Sequence, residues 1–231
     1  AKARTYGTNG AYGGGVARNC VANSKIASKF DNMWIFPNPG HAGSALGCVL
    51  AHNKERINFK DTYLGHDITR STNPKLVVDT LLKRKVVGVA NGKAEFGPRA
   101  LGNRSLLGDV RYDIKDTVNT IKRRQKFRPF APAILEEFVD EYFDGPTNEY
   151  MQFVSKAKHD YKSVTHVDGT ARVQVVKKDC TSVLRPILEE YYERTGVPML
   201  LNTSLNIKGK PMVNTLDDAE NFQTLYGVRV L

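Results

Sequence analysis

The sequence predicts an α/β fold, on three observations. From Pro74 onward, short apolar runs alternate with segments of helical spacing. Glycine and proline stand at the boundaries between them. The composition, 41% hydrophobic and 25% charged over 231 residues, is that of a packed protein with one large domain or two small ones.

The elements follow in order. Gly13, Gly14 and Gly15 interrupt the chain, and residues 16–23 run toward Ile26 with small, apolar helical spacing. Met33, Trp34, Ile35 and Phe36, bounded by Pro37 and Pro39, predict a strand. Residues 43–50 predict a helix of small residues. Residues 51–75 are polar, without a period, and read as a linker or surface crossing. Pro74 suits the first turn of a helix through Leu76, Val77, Leu81 and Leu82. Residues 86–90 predict a buried strand, and 113–122 a helix through Ile114, Val118 and Ile121. Residues 171–176 predict a strand with Arg172 and Gln174 on one face and Val173 and Val175 on the other. Residues 183–195 predict a helix stopped by Gly196, 198–201 a buried strand, and 216–226 a last helix capped near Asp217. There is no internal repeat and no low-complexity tract.

The composition narrows the function. No apolar run approaches the roughly 20 residues of a membrane helix, and the basic start has no apolar core, so a signal peptide is not expected. Cys20, Cys48 and Cys180 are odd in number and widely spaced, which predicts neither a disulfide framework nor a cysteine zinc site. A reducing, cytoplasmic setting fits. The net charge of +10 calls for an anionic partner, whether nucleotide, phosphorylated metabolite or nucleic acid. A chain that opens without methionine on a glycine-rich motif reads as a piece of a longer protein.

Five segments are equipped for chemistry on anions. Residues 95–105 place Arg99 and Arg104 on a glycine-punctuated stretch after a buried strand, and arginine forks match phosphate oxygens. In the next basic segment Lys122, Arg123, Arg124, Lys126 and Arg128 crowd into seven residues. That pattern fits a solvated face, a nucleic-acid patch with Phe127 and Phe130 interleaved, or charges held at set positions by Pro129 and Pro132. Asn202, Thr203, Ser204 and Asn206 cluster after the strand 198–201, where open α/β sheets bind ligands. Asp168-Gly169 signals a hairpin, and Arg172 beyond it faces either the same pocket or water. Gly14, Gly15 and Asn19 lie on a glycine-rich turn before a helix, a weaker phosphate cradle.

Together, GGGVARNCVAN (13–23), EFGPRALGNRSLL (95–107), NTIKRRQKFRPFAPAIL (119–135), HVDGTARVQVV (166–176) and GVPMLLNTSLNIKGKPMV (196–213) resemble carbamoyltransferases of the NodU/CmcH type, in the family's order over nearly the whole chain. The resemblance implies two modules: a remnant of an actin/Hsp70-type ATPase fold over residues 1–70, and a YrdC-like domain with a twisted mixed sheet over 71–231. YrdC-like proteins carry KxR and SxN signatures, matched here by Lys122, Arg123 and Arg124 and by Ser204, Leu205 and Asn206. The implied activity is condensation of ATP with carbamoyl phosphate to carbamoyl-adenylate, whose carbamoyl group the other module passes to a hydroxyl. On that reading Lys122, Arg124, Ser204 and Arg99 are catalytic. Arg104, Arg128, Arg172, Asn202, Thr203, Asn206, Gly14, Gly15 and Asn19 hold the nucleotide or the acyl phosphate. Mg²⁺ would accompany the nucleotide, although no acidic pair stands out as its ligand. Iron would belong to the upstream module, whose HxxxH segment lies before residue 1. The family's GDxGxAxG segment reads Gly40-His41-Ala42-Gly43-Ser44-Ala45-Leu46-Gly47 here, so His41 either replaces the aspartate as an iron ligand or leaves the metal to other groups. The alternative function is a nucleic-acid-binding YrdC-like module.

Overall fold

Apolar residues on both faces of successive strands place a sheet at the centre of the molecule, covered on each side. The computed structural model describes residues 7–231; the first six residues of the basic start lie outside them. The first elements are β1 (Asn9–Tyr12), α1 (Cys20–Ala27), β2 (Asn32–Ile35), α2 (His41–Asn53), β3 (Tyr63–Ile68), α3 (Pro74–Arg84) and β4 (Val86–Ala90). Then come β5 (Gly92–Glu95), β6 (Arg104–Gly108), α4 (Lys115–Ile121), β7 (Ala131–Leu135), α5 (Val139–Tyr142) and β8 (Phe143–Asp144). The chain finishes with β9 (Ser155–Ala157), β10 (Thr170–Ala171), β11 (Gln174–Val176), α6 (Leu184–Thr195), β12 (Met199–Ser204) and α7 (Leu216–Tyr226).

The fold is α/β. Its main sheet has the order β11-β7-β12-β6-β4, with β11 parallel to β7 and the other neighbours antiparallel. Period-two alternation divides the core. Met199 and Leu201 pack with Leu106, Ile134, Val118 and Phe222 on the α4 and α7 side. Leu200 packs with Leu107, Ala133, Val77, Leu81 and Leu188 on the α3 and α6 side. The C-terminal residues cover the β4 edge, with the Gly88 amide donating to the Arg229 carbonyl (2.8 Å) and the Leu231 amide to the Gly88 carbonyl (2.9 Å). No helix among the described residues is long and apolar enough to cross a membrane.

Helix ends follow local chemistry. Asn73 caps α3, with Pro74 in its first turn, and Gly196 ends α6 at φ 71°. The last helix is capped close to Asp217, by a capping box in which the Asp218 amide donates to Thr215 Oγ1 and the Thr215 amide donates to the Asp218 carboxylate.

Three expected elements differ from what is observed. Residues 51–75 are not simply a linker: β3 pairs antiparallel with β5, through Tyr63 opposite Glu95 and Ile68 opposite Gly92. Residues 64–67 are exposed, so this strand carries no apolar period to read. The strand 171–176 is broken. Ala171 pairs with Ser155 in the small sheet β10-β9-β8, whereas Gln174 pairs with Ala133 in the main sheet, leaving Arg172 at the crossing between them. Finally, β12 continues to Ser204, so Asn202 and Thr203 sit within the ladder rather than beyond its end.

Residues 9–35 form a small parallel pair, β1 with β2, joined through α1. The Asn23 amide donates to the Gln152 carbonyl (2.9 Å), the Ser24 hydroxyl to the Val154 carbonyl (2.8 Å) and the Gln152 amide side chain to the Phe36 carbonyl (2.9 Å). These bonds seat α1 against residues 152–154. Replacing Thr215 by alanine should lower stability by about 0.5–2 kcal/mol in equilibrium urea unfolding. Asp217→Ala should change it by less than about 0.5 kcal/mol, as expected of a surface change.

Candidate functional site

The Lys122 side chain joins two distant parts of the chain. It caps the C-terminus of α4 and is only 3% exposed. Its Nζ donates to the carbonyl of Ser204, to Ser204 Oγ (3.3 Å), to the Asn206 carbonyl (2.9 Å) and to Asn206 Oδ1 (3.1 Å). Ser204 Oγ donates to Asn206 Oδ1 (2.6 Å), and Asn206 Nδ2 is held by the Lys210 carbonyl (2.8 Å). No carboxylate takes part. Burial, followed by the nearby charges of Arg124 and Arg128, pulls the Lys122 ammonium down to about 7.

Beside this network lies a cavity of about 490 Å³ lined by Arg99, Arg124, Arg128 and Arg172, with Asn202, Thr203 and Ser204 from β12. Among the described residues none of these four arginines forms an ion pair with a carboxylate. The rest of the lining contains no acidic side chain. Burial and then Arg172 bring Arg99 down to about 10, and burial and then Arg128 do the same to Arg124. Burial also lowers Arg172, with Arg124 adding to it and Cys20 opposing. Arg124 stacks over the Phe130 ring at 4.2 Å. An arrangement of this kind destabilises its own charges until an anion arrives.

The Arg99 loop is built on Glu95. Its Oε1 accepts from the amides of Leu101 (2.7 Å), Asn103 (2.9 Å) and Arg104 (3.3 Å), folding 96–103 around one carboxylate. Burial raises its pKa while these bonds oppose the shift. Gly102, at φ 131°, is required by packing: a Cβ would lie 2.3 Å from Ser182 Oγ and 2.6 Å from Leu184 Cβ.

Arg104 is a correction to the expected site. It opens β6, is 0% exposed and points away from the cavity. Nη1 donates to the carbonyls of Asn91 (2.9 Å), Gly92 (3.0 Å) and Asn103 (2.9 Å), and Nη2 to those of His66 (2.8 Å) and Asn214 (3.1 Å). Both terminal nitrogens are taken by backbone carbonyls and only the buried Nε lacks a partner, so Arg104 ties strands together outside the cavity lining.

Gly14, Gly15 and Asn19 also lie outside the cavity lining. The Gly14 amide donates to the Pro39 carbonyl (2.8 Å), and Asn19 caps α1 by accepting from the Ala22 amide (3.1 Å). The next residues, Cys20 and Val21, do line the cavity. So does His166, whose imidazole is lowered chiefly by burial, with Asp168 opposing and Arg172 adding. Neither Cys20 nor His166 carries a local signal that separates it from an ordinary helix or turn residue. His41 begins α2 on the exposed surface, and no group of three His, Cys, Asp or Glu side chains suited to a metal occurs among the described residues.

A family model described as "Carbamoyltransferase C-terminus" matches residues 78–231, and one described as "Carbamoyltransferase N-terminus" matches residues 2–50. The nodulation protein NolNO of Sinorhizobium fredii is 36% identical over 244 residues, covering 89% of this chain and 36% of that protein. Nodulation protein U of Rhizobium tropici is 33% identical over 219 residues, covering 85% of this chain and 38% of that protein. The chain therefore spans less than half the length of these relatives. Among solved structures, full-length HypF in its phosphate- and nucleotide-bound form aligns with a TM-score of 0.48 at 18% identity, over 71% of this chain and 21% of that one.

The Lys122 shift gives a pH test. An unfolded lysine titrates near 10.4, so between about pH 7 and 10 the unfolded chain holds a proton that the folded chain has released. The contribution of Lys122 makes the free protein more stable with rising pH in that window. Sulfate binding favours the ammonium, so its affinity should fall as pH rises past about 7, by up to about tenfold per unit. Calorimetric titration with sulfate, whose own charge is constant there, checks this; Lys122→Met should flatten the profile.

Proposed function

This chain belongs to the carbamoyltransferase family, and from that premise we propose that its basic cavity is where ATP and carbamoyl phosphate meet to form carbamoyl-adenylate. The carbamoyl group then passes to a hydroxyl acceptor. One observation carries the reading: four arginines converge on one cavity whose lining holds no carboxylate. Two polyanions repel each other, and only dense, fixed positive charge brings them within reacting distance. Arg99, Arg128 and Arg172 have no side-chain hydrogen bond to other described residues, so their forks are available to phosphate oxygens. Arg124 adds charge from the Phe130 side. Ser204, Thr203 and Asn202 orient carbamoyl or phosphate oxygens from the cavity wall, while Asn206, outside the lining, and Lys122 hold Ser204 in place, Lys122 contributing its own charge. No side chain need form a covalent intermediate; positioning and electrostatics suffice.

The convergence of the arginines on a cavity favours a small polyanion over a duplex, whose phosphates would meet charges spread along a surface. Mg²⁺ would be held by the nucleotide's own phosphates, since the cavity offers it no carboxylate. The mixed sheet with its Lys122–Arg124 and Ser204–Asn206 signatures supports a YrdC-like domain over residues 71–231, and the two separate family matches support a boundary near residue 70. Residues 1–70 are then the tail of an ATPase-fold module that carries the acceptor and the iron, in a cytoplasmic enzyme.

Incubating the chain with ATP and carbamoyl phosphate should give carbamoyl-adenylate by mass spectrometry, with one orthophosphate released as water cleaves carbamoyl phosphate to carbamate and one pyrophosphate released as the carbamate oxygen attacks the α-phosphate of ATP. A folded chain that binds neither substrate by calorimetry would sink this reading, and tight duplex binding that ATP does not displace would replace it with nucleic-acid recognition. Arg128→Ala and Arg99→Ala should each weaken ATP binding by about tenfold to a hundredfold, the scale of one charge-assisted hydrogen bond. Arg104→Lys should instead lower the melting temperature, since its partners are backbone carbonyls.

A further inference from the structure

Asn119 lies outside the cavity lining and is 0% exposed, yet every hydrogen-bonding group of its side chain is engaged with the basic segment. Its Nδ2 donates to the carbonyls of Lys126 (3.0 Å) and Arg128 (3.1 Å), and its Oδ1 accepts from Arg124 Nε (2.6 Å). The orientation of the amide is unambiguous: two carbonyls require the nitrogen and a guanidinium N–H requires the oxygen. Its backbone carbonyl also accepts from the Arg124 amide (3.0 Å), while the Arg123 amide donates to the Thr120 carbonyl (3.0 Å). This is the paired hydrogen-bond pattern that closes a helix on a left-handed residue, and here that residue is Arg123, at φ 51°, where glycine is usual. The Arg123 guanidinium lies over the Tyr226 ring at 5.4 Å, anchoring the turn to α7.

The geometry points to Asn119 as the positioning residue that sets Arg124 and Arg128 as one anion-binding pair. We propose that, by fixing the Arg124 fork from one side of its amide and the backbone carrying Arg128 from the other, it holds two mutually repelling cations at a set spacing before any ligand is bound. This rests on reading the cavity as a polyphosphate site. Without Asn119 the 125–128 turn has no buried side-chain tether, and repulsion would spread the two charges.

The test titrates the 231-residue chain with inorganic pyrophosphate by calorimetry at several salt concentrations, comparing wild type, Asn119→Ala, Arg124→Ala and the double variant. Asn119→Ala should bind at least about tenfold more weakly, with a shallower salt dependence, because fewer cations engage the ligand. The double variant should bind no more weakly than Asn119→Ala, as groups acting through one another are not additive. A purely structural residue would lower the melting temperature and leave the salt dependence of the folded fraction unchanged. Folded Asn119→Ala that binds within about threefold of wild type with the same salt dependence overturns the proposal, as do losses that multiply in the double variant. If Asn119→Ala does not fold, Asn119→Asp decides. It keeps the volume and the Arg124 acceptor but loses both donors to the turn, and binding equal to wild type overturns the proposal. A wild-type chain that binds no pyrophosphate overturns the polyphosphate reading itself, and this proposal with it.

Discussion

Uncompensated positive charge is the constraint around which this site is organised. Arg99, Arg124, Arg128 and Arg172 face one cavity, Lys122 is buried beside it, and the cavity lining contains no carboxylate. Like charges in a partly dehydrated space repel, so the fold must hold them by other means. It does so with neutral acceptors. Carbonyls and amide oxygens of Ser204 and Asn206 hold Lys122, Asn119 holds Arg124, and the Phe130 ring lies under the Arg124 guanidinium. A carboxylate would hold these cations more strongly, but it would also neutralise the field that a polyanion needs.

The two arginines of the 95–105 motif show how the same residue type is given different work. Arg99 sits in the loop that Glu95 gathers, and its guanidinium meets the cavity. Arg104, five residues on, is the first residue of a central strand and meets five backbone carbonyls. Both are lowered by burial, yet only Arg99 lines the cavity. Gly102 between them is kept by its contact with Ser182 and Leu184 rather than by a ligand, so much of this motif serves to seat the loop on α6.

The cavity is assembled from segments remote in sequence. Residues 171–176 leave one sheet for another at Arg172, which is why that side chain reaches the site. The α1 helix, docked through Asn23 and Ser24 on residues 152–154, adds Cys20 and Val21 to the wall. In this way the N-terminal segment matched by one family model shares a cavity with the segment matched by the other.

The sequence by itself determined the α/β alternation, the helices that begin at Pro74 and end before Gly196, and the family, because apolar period, capping residues and ordered motifs are local properties. It also identified Arg99, Lys122, Arg124, Arg128, Arg172 and Ser204 as candidates, and these come together around the site. It did not separate Arg99 from Arg104, or reveal β3, whose residues 64–67 are exposed and show no period. Nor did it reveal Glu95 and Asn119 as supports for the loops. Only the tertiary structure decided these points, because whether a guanidinium meets carbonyls or a void, and whether a polar side chain is buried among backbone groups, depends on strands and turns brought together from far along the chain.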